Sequence, residues 1–293
     1  MIKKIDIIAP ASSMPLDDFE LCLKELELYG IPFHYDPAIL KPDIYFAGPL
    51  KSQTEQFLDA MNSDADVIWC VRGGYGSMRL VPHLETLPIP KTKKTLIGFS
   101  DITSLHIFLN QKWGWETIHG PTISQFKNVS LKESIQETFE ILTNSDYHPL
   151  FENLIPLNDA AKVNREIRAK VCGGNLRIIQ SSLKTDWELD TSKKIVIMED
   201  VGERGYSVDR MLEQLVQSKT LNEKTAAIIF GDFTESLEKN GNDLVPTALD
   251  RFAKATNIPV LKGLPSGHHH ERNRPVIFNR EAKLDLEKLN LRF

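Results

Sequence analysis

The chain has 293 residues, 41% hydrophobic and 26% charged, a balance that excludes a disordered polymer and a length at which two packed cores are the default. A formal net charge of -5, with Lys and Arg scattered and no basic stripe, speaks against a nucleic-acid partner. The longest apolar runs, such as 5–11 and 225–230, are far too short to cross a bilayer, so no membrane partner is expected.

Met1-Ile2-Lys3-Lys4 passes at once into a strand-like run from Ile5 to Ala9, leaving no room for a signal peptide, and a cytoplasmic location is expected. The turn Pro10-Ala11-Ser12-Ser13 leads into apolar residues at helical spacing from Leu16 to Tyr29, closed by Gly30. Asp66–Val71 is a second strand, followed by the glycine-rich turn Arg72-Gly73-Gly74-Tyr75-Gly76. Thr95–Phe99 is a third, followed by Ser100-Asp101 and a helical run from Ile102 to Leu109. Three strand-to-helix units predict an α/β domain with a parallel sheet covered by helices.

Periodicity fades between Thr143 and Val163 into Asn, Asp, Pro and His, which places a linker at 146–165 between an N-terminal domain, 1–145, and a C-terminal domain, 166–293. In the latter, strand Glu166–Val171, the turn Cys172-Gly173-Gly174-Asn175, a helix from Leu176, strand Lys194–Met198, helix Ser207–Gln217 and strand Ala226–Phe230 predict a second mixed unit. Cys22, Cys70 and Cys172 are far apart and form no Cys-x-x-Cys pair, so they read as reduced structural thiols.

Ser100, between an apolar strand and a helix, sits where a sharp turn can hold a hydroxyl out over a sheet edge, and the N–H of Asp101 is placed to receive an oxyanion. Gly-x-Ser-x-Gly is not met, because Ile102 stands at the second glycine position, and a plain helix cap explains the same residues. The Arg72–Gly76 turn permits close backbone approach to an anion, while the spacings of dinucleotide and P-loop motifs are absent. Glu199 follows the strand Ile195–Met198 and can orient a histidine, with Asp200 and Glu203 as neighbouring rivals. His268 opens His268-His269-His270 after a Pro/Gly-rich loop and can serve as a general base. No Cys or His-x-x-x-His partners accompany these histidines, so no metal is expected.

Taken together, Ile8–Ser12, Arg72–Gly76, Ile97-Gly98-Phe99-Ser100-Asp101, His119-Gly120-Pro121, Gly173-Gly174-Asn175-Leu176, Met198-Glu199-Asp200, Gly231-Asp232-Phe233 and Gly263-Leu264-Pro265-x-Gly267-His268 resemble the LD-carboxypeptidase family of serine peptidases, over nearly the whole chain. That family also includes proteins giving immunity to peptide-nucleotide microcins. The resemblance implies a flavodoxin-like N-terminal domain, a smaller β-rich C-terminal domain and a homodimer. It implies a catalytic triad of Ser100, Glu199 and His268 and an oxyanion hole of the Gly74 and Asp101 N–H groups. A carboxypeptidase must also hold a free carboxylate, and by charge complementarity either Arg72 or the amides of the glycine turn can do so, which makes Arg72, Gly73 and Tyr75 the candidate substrate contacts. The implied reaction is release of D-alanine from cytoplasmic murein tetrapeptides in cell-wall recycling, without a cofactor. The chain departs from the family's pattern at Pro275–Asn279 and in extending the Gly-His motif with His269 and His270. A microcin-type amidase acting on a nucleotide conjugate is the alternative within the family, with Trp113, Trp115 and Trp187 as candidates for stacking on a base. A catalytically silent binding protein is the alternative outside it.

Overall fold

A computed structural model describes residues 2–293. The chain divides into two compact units, one formed by the chain up to Tyr147 together with His270–Ile277, the other by His148–His269 together with Phe278–Phe293.

In the first unit, strands β1 (Ile5–Ile8), β2 (Phe33–Tyr35), β3 (Val67–Cys70), β4 (Thr95–Gly98) and β5 (Thr117–His119) pair in parallel in the order β5-β4-β3-β1-β2. This 2-1-3-4-5 order is that of flavodoxin-like folds. β1 and β3 are buried at every position, as strands covered on both faces must be, which explains their nearly unbroken apolar runs. The helices are α1 (Leu16–Glu27), α2 (Leu50–Asn62), the short α3 (Val81–Glu85) and α4 (Thr103–Phe108), and α5 (Lys132–Thr143). Ile5, Ile7, Trp69 and Ile97 pack with Phe19 and Leu26 of α1 and with Phe139 of α5 in one core. Helical spacing in the sequence thus meets strand alternation in one apolar layer.

The second unit holds an eight-stranded mixed sheet. β6 (Leu150–Phe151) and β7 (Ile155–Pro156) lie at its two edges, and β8 (Glu166–Asn175), β9 (Lys194–Val201), β10 (Ala227–Thr234) and β11 (Val260–Lys262) form its parallel centre. After β11 the chain adds β12 (Val276–Phe278) beside β5 in the first sheet, then closes the second sheet with the antiparallel β13 (Glu281–Asp285) and β14 (Asn290–Arg292). Helices α6 (Leu176–Ser181), α7 (Gly205–Gln217) and α8 (Val245–Lys254) complete this unit.

Two local expectations change. Residues 146–165 contribute β6 and β7 to the second sheet, and Asn158, buried among them, donates to the carbonyls of Ala253, Thr256 and Ile258 and accepts from the N–H of Val260. Cys172–Asn175, read as a turn, continues β8, where a side chain on Gly173 would collide with the Ile197 carbonyl of β9. The glycine serves close strand approach, not chain reversal. All three cysteines are buried and free.

Candidate active site

Ligand sites in flavodoxin-like sheets form beyond the carboxyl ends of the strands, where the strand order reverses. In the first unit that point lies between β1 and β3. The turns that leave them carry Ser12 and Arg72–Gly76, with Ser100 following β4 next door.

Phe99 is extended, and Ser100 takes a φ of 63°, the left-handed region that a side chain occupies at a cost of about 1–3 kcal/mol. Strain of this kind at a strand-to-helix turn is how a serine hydroxyl is presented above a sheet edge. The neighbouring glycine turn fits closely around it. A Cβ on Gly73 would lie 2.8 Å from Ser100 Cβ, and one on Gly74, at φ 100°, would lie 2.7 Å from Ser12 Cβ. Ser12, absent from the sequence-level site, accepts the Tyr75 N–H at 3.2 Å and donates to the Tyr45 carbonyl at 2.7 Å. Arg72 Nη1 reaches the Ser13 carbonyl at 3.3 Å. Arg72, Gly74 and Tyr75 line a groove of about 480 Å³ with Ser12, Ser13 and Tyr45. A cation, exposed peptide groups and aromatic walls in one groove suit an anionic, partly apolar ligand.

Beneath the serine turn, His106 of α4 is fully buried, and burial pulls its imidazole down to about 4. It is therefore neutral near pH 7, and its Nε2, 2.8 Å from the Gly98 carbonyl, carries the hydrogen and donates it. Asp101 is also buried, which raises its carboxyl above the usual range, and it accepts the Ser77 N–H at 2.8 Å.

In the second unit, Glu199 lies in β9, fully buried, with Oε2 2.6 Å from Nδ1 of His268. Two glycines make this possible. Gly267, at φ 129°, sits where a Cβ would be 2.8 Å from Glu199 Oε2, and one on Gly231 would be 2.5 Å from the Ser266 carbonyl and 3.2 Å from Glu199 Cβ. Burial alone would lower the His268 pKa, but the Glu199 carboxylate and its hydrogen bond, with Asp200 and Glu235 behind, outweigh that and leave it raised. In the neutral ring Nδ1 donates to Glu199 and Nε2 keeps a lone pair, the state of a general base.

The acidic rivals are engaged elsewhere. Asp200, pushed up to about 7 by burial and by adjacent Glu199, accepts from Asn175 Nδ2 and from the N–H groups of Arg177 and Val201. It anchors the start of α6, which Asn175 caps. Glu203 bonds Arg177 and Ser207. The His270 side chain is 80% exposed and faces Glu271 at 3.7 Å. Of the sequence-level candidates, one unit thus gathers Ser100, Asp101, Arg72, Gly73, Gly74 and Tyr75, and the other gathers Glu199 and His268. Among the described residues no cluster of three or more His, Cys, Asp or Glu is placed to hold a metal.

The chain is similar to known proteins over most of its length. Residues 5–120 match the LD-carboxypeptidase N-terminal domain and residues 168–284 the LD-carboxypeptidase C-terminal domain. The chain is 28% identical to a murein tetrapeptide carboxypeptidase of Pseudomonas aeruginosa, over 98% of this chain and 94% of that one. It superposes on the crystal structure of a muramoyltetrapeptide carboxypeptidase from Oxalobacter formigenes with a TM-score of 0.85 at 26% identity, over 99% and 97% of the two chains. It is also 26% identical to the microcin C7 self-immunity protein of Escherichia coli, over 89% and 84%.

Proposed function

We propose that this chain, which belongs to the LD-carboxypeptidase family of peptidases, uses Ser100, His268 and Glu199 to release the terminal D-alanine of murein tetrapeptides. The observation that carries the chemistry is the 2.6 Å hydrogen bond from His268 Nδ1 to the buried Glu199. The substrate class is supported by the end-to-end likeness to the murein tetrapeptide carboxypeptidase. In this reading Ser100 Oγ attacks the scissile carbonyl carbon and His268 Nε2 takes its proton. Glu199 holds the ring and balances the imidazolium, and the N–H groups of Gly74 and Asp101 receive the oxyanion. The C–N bond then breaks, His268 returns the proton to the leaving amine, and water releases the acyl group by the same route. Arg72 pairs with the substrate's terminal carboxylate, and Gly73 and Tyr75 shape the groove beside it.

We place the enzyme in the cytoplasm, as a homodimer acting in cell-wall recycling. A nucleotide conjugate is the weaker choice of substrate, because Trp113, Trp115 and Trp187 are all buried in the core and present no ring for a base to stack on. Purified wild type and Ser100→Ala are each incubated with a murein tetrapeptide ending in D-alanine, and alanine release is followed by mass spectrometry. Release by the wild type alone is the expected result. Equal release by both would reject Ser100, and release by neither would reject the substrate.

A further inference from the structure

Two turns must stay in register if backbone N–H groups from both are to meet one oxyanion, the turn after β3 that carries Gly73 and Gly74 and the turn after β4 that carries Ser100 and Asp101. The side chains that join them are not those of the triad. Ser77, at the end of the glycine turn, donates its backbone N–H to Asp101 Oδ2 at 2.8 Å and its hydroxyl to the Asp101 carbonyl at 2.5 Å. Its Oγ also lies 2.7 Å from Ser104 Oγ in α4. Ser77 and Ser104 are fully buried and Asp101 is 2% exposed, so water does not compete for these bonds.

Asp101 is therefore tied to the glycine turn through both its side chain and its own carbonyl, one residue after the strained Ser100. A left-handed serine persists only where its surroundings over-determine it. Here the tie to Ser77 lies on one side of the turn and the His106 bond to the Gly98 carbonyl on the other.

We infer that Ser77 and the Asp101 carboxylate are positioning residues, which lock the glycine turn to the serine turn and so fix the separation of the two oxyanion-binding N–H groups. The inference rests on the reading of Ser100 as nucleophile. Neither side chain touches the reacting atoms; both act through the backbone. A misplacement of such donors by about 1 Å costs on the order of 10²-fold in rate, while ground-state binding at the groove is untouched.

The test begins with labelling by a fluorophosphonate, which reacts with an activated serine. Label on the wild type and none on Ser100→Ala secures the underlying reading, and no label on the wild type removes both it and the inference. Ser77→Ala and Asp101→Asn are then compared with wild type for kcat, KM, melting temperature and affinity for a boronic acid analogue of the tetrapeptide, whose tetrahedral adduct occupies the oxyanion site. The expected result is a fall in kcat of about 10- to 100-fold at nearly constant KM, with analogue affinity falling in parallel with kcat/KM. Wild-type kcat in both variants, or a loss of substrate binding as large as the loss of kcat in folded protein, would overturn the inference. Should Asp101→Asn fail to fold, Ser77→Ala, which leaves the backbone bond to Asp101 in place, decides it alone.

Discussion

Glu199 and His268 meet at 2.6 Å because the residue before the histidine has no side chain. Gly267 lies against the Glu199 carboxylate, where a Cβ would stand 2.8 Å from Oε2. Glu199 is fully buried and the His268 side chain 15% exposed, and the carboxylate, not the burial, decides the direction of the histidine's shift.

That balance sets a pH dependence. The base is the neutral imidazole, so kcat/KM rises with pH through the His268 pKa, and the rise is expected above the ordinary imidazole value of about 6.5. Glu199→Gln removes the main raising cause and leaves burial, so the acid limb is expected to move below that value while kcat falls by about 10²- to 10⁴-fold. A pH–rate profile with an NMR titration of His268 checks both. The raised pKa also has a stability sign: the pair's contribution is full below about pH 6.5 and fades as pH climbs through the higher folded value.

Gly73→Ala drives a methyl group to 2.8 Å from Ser100 Cβ. The expected loss is about 10²-fold in kcat from the displaced hydroxyl. Gly30→Ala, at φ 69° with open space around it, is the control and is expected to lose about 1 kcal/mol of stability and no activity. Paired kinetics and urea unfolding separate the two effects, and an unaltered rate in Gly73→Ala would contradict the tight fit of the turns.

Asn158→Ala takes a partner from the carbonyls of Ala253, Thr256 and Ile258 and from the N–H of Val260, and of these the Ala253 carbonyl keeps the Thr256 N–H at 3.4 Å. A loss of about 3 kcal/mol or more is expected in denaturant unfolding, since each buried group left unpaired costs about 1–3 kcal/mol. A change under about 0.5 kcal/mol, the range of ordinary surface substitutions, would show that this segment is not built into the sheet.

Much of the first unit was legible because β1, β3 and nearly all of β4 are buried. The runs at Ile5–Ile8, Val67–Cys70 and Thr95–Gly98 carry their own signal, and the turns after them stand out by glycine and serine. What the sequence hid has identifiable physical reasons. β6 and β7 are two residues long, too short for any period, so they merged with the loop around them. Gly173 and Gly174 look like a turn because paired glycines usually are one, yet here Gly173 lets β9 approach β8. His106 bonds a backbone carbonyl that only the fold brings near it, and Ser77 resembles any serine after a glycine. The tryptophans, plausible as stacking surfaces on chemistry alone, are packing residues.

The excursion that carries β12 back beside β5 has a consequence for biosynthesis. Arg274 reaches Glu137 at 2.7 Å, and the Asn273 N–H reaches Ser134 Oγ at 3.0 Å, so these polar groups of α5 in the first unit gain part of their pairing from residues near the end of the chain. A ribosome that has released the first 147 residues has therefore delivered a unit with an uncovered sheet edge at β5, the kind of surface that recruits foreign strands. Completion waits for nearly the whole polypeptide to emerge, and gene fragments cut at the apparent boundary should be sticky and short-lived, where fragments of a sequentially folding two-domain protein would survive.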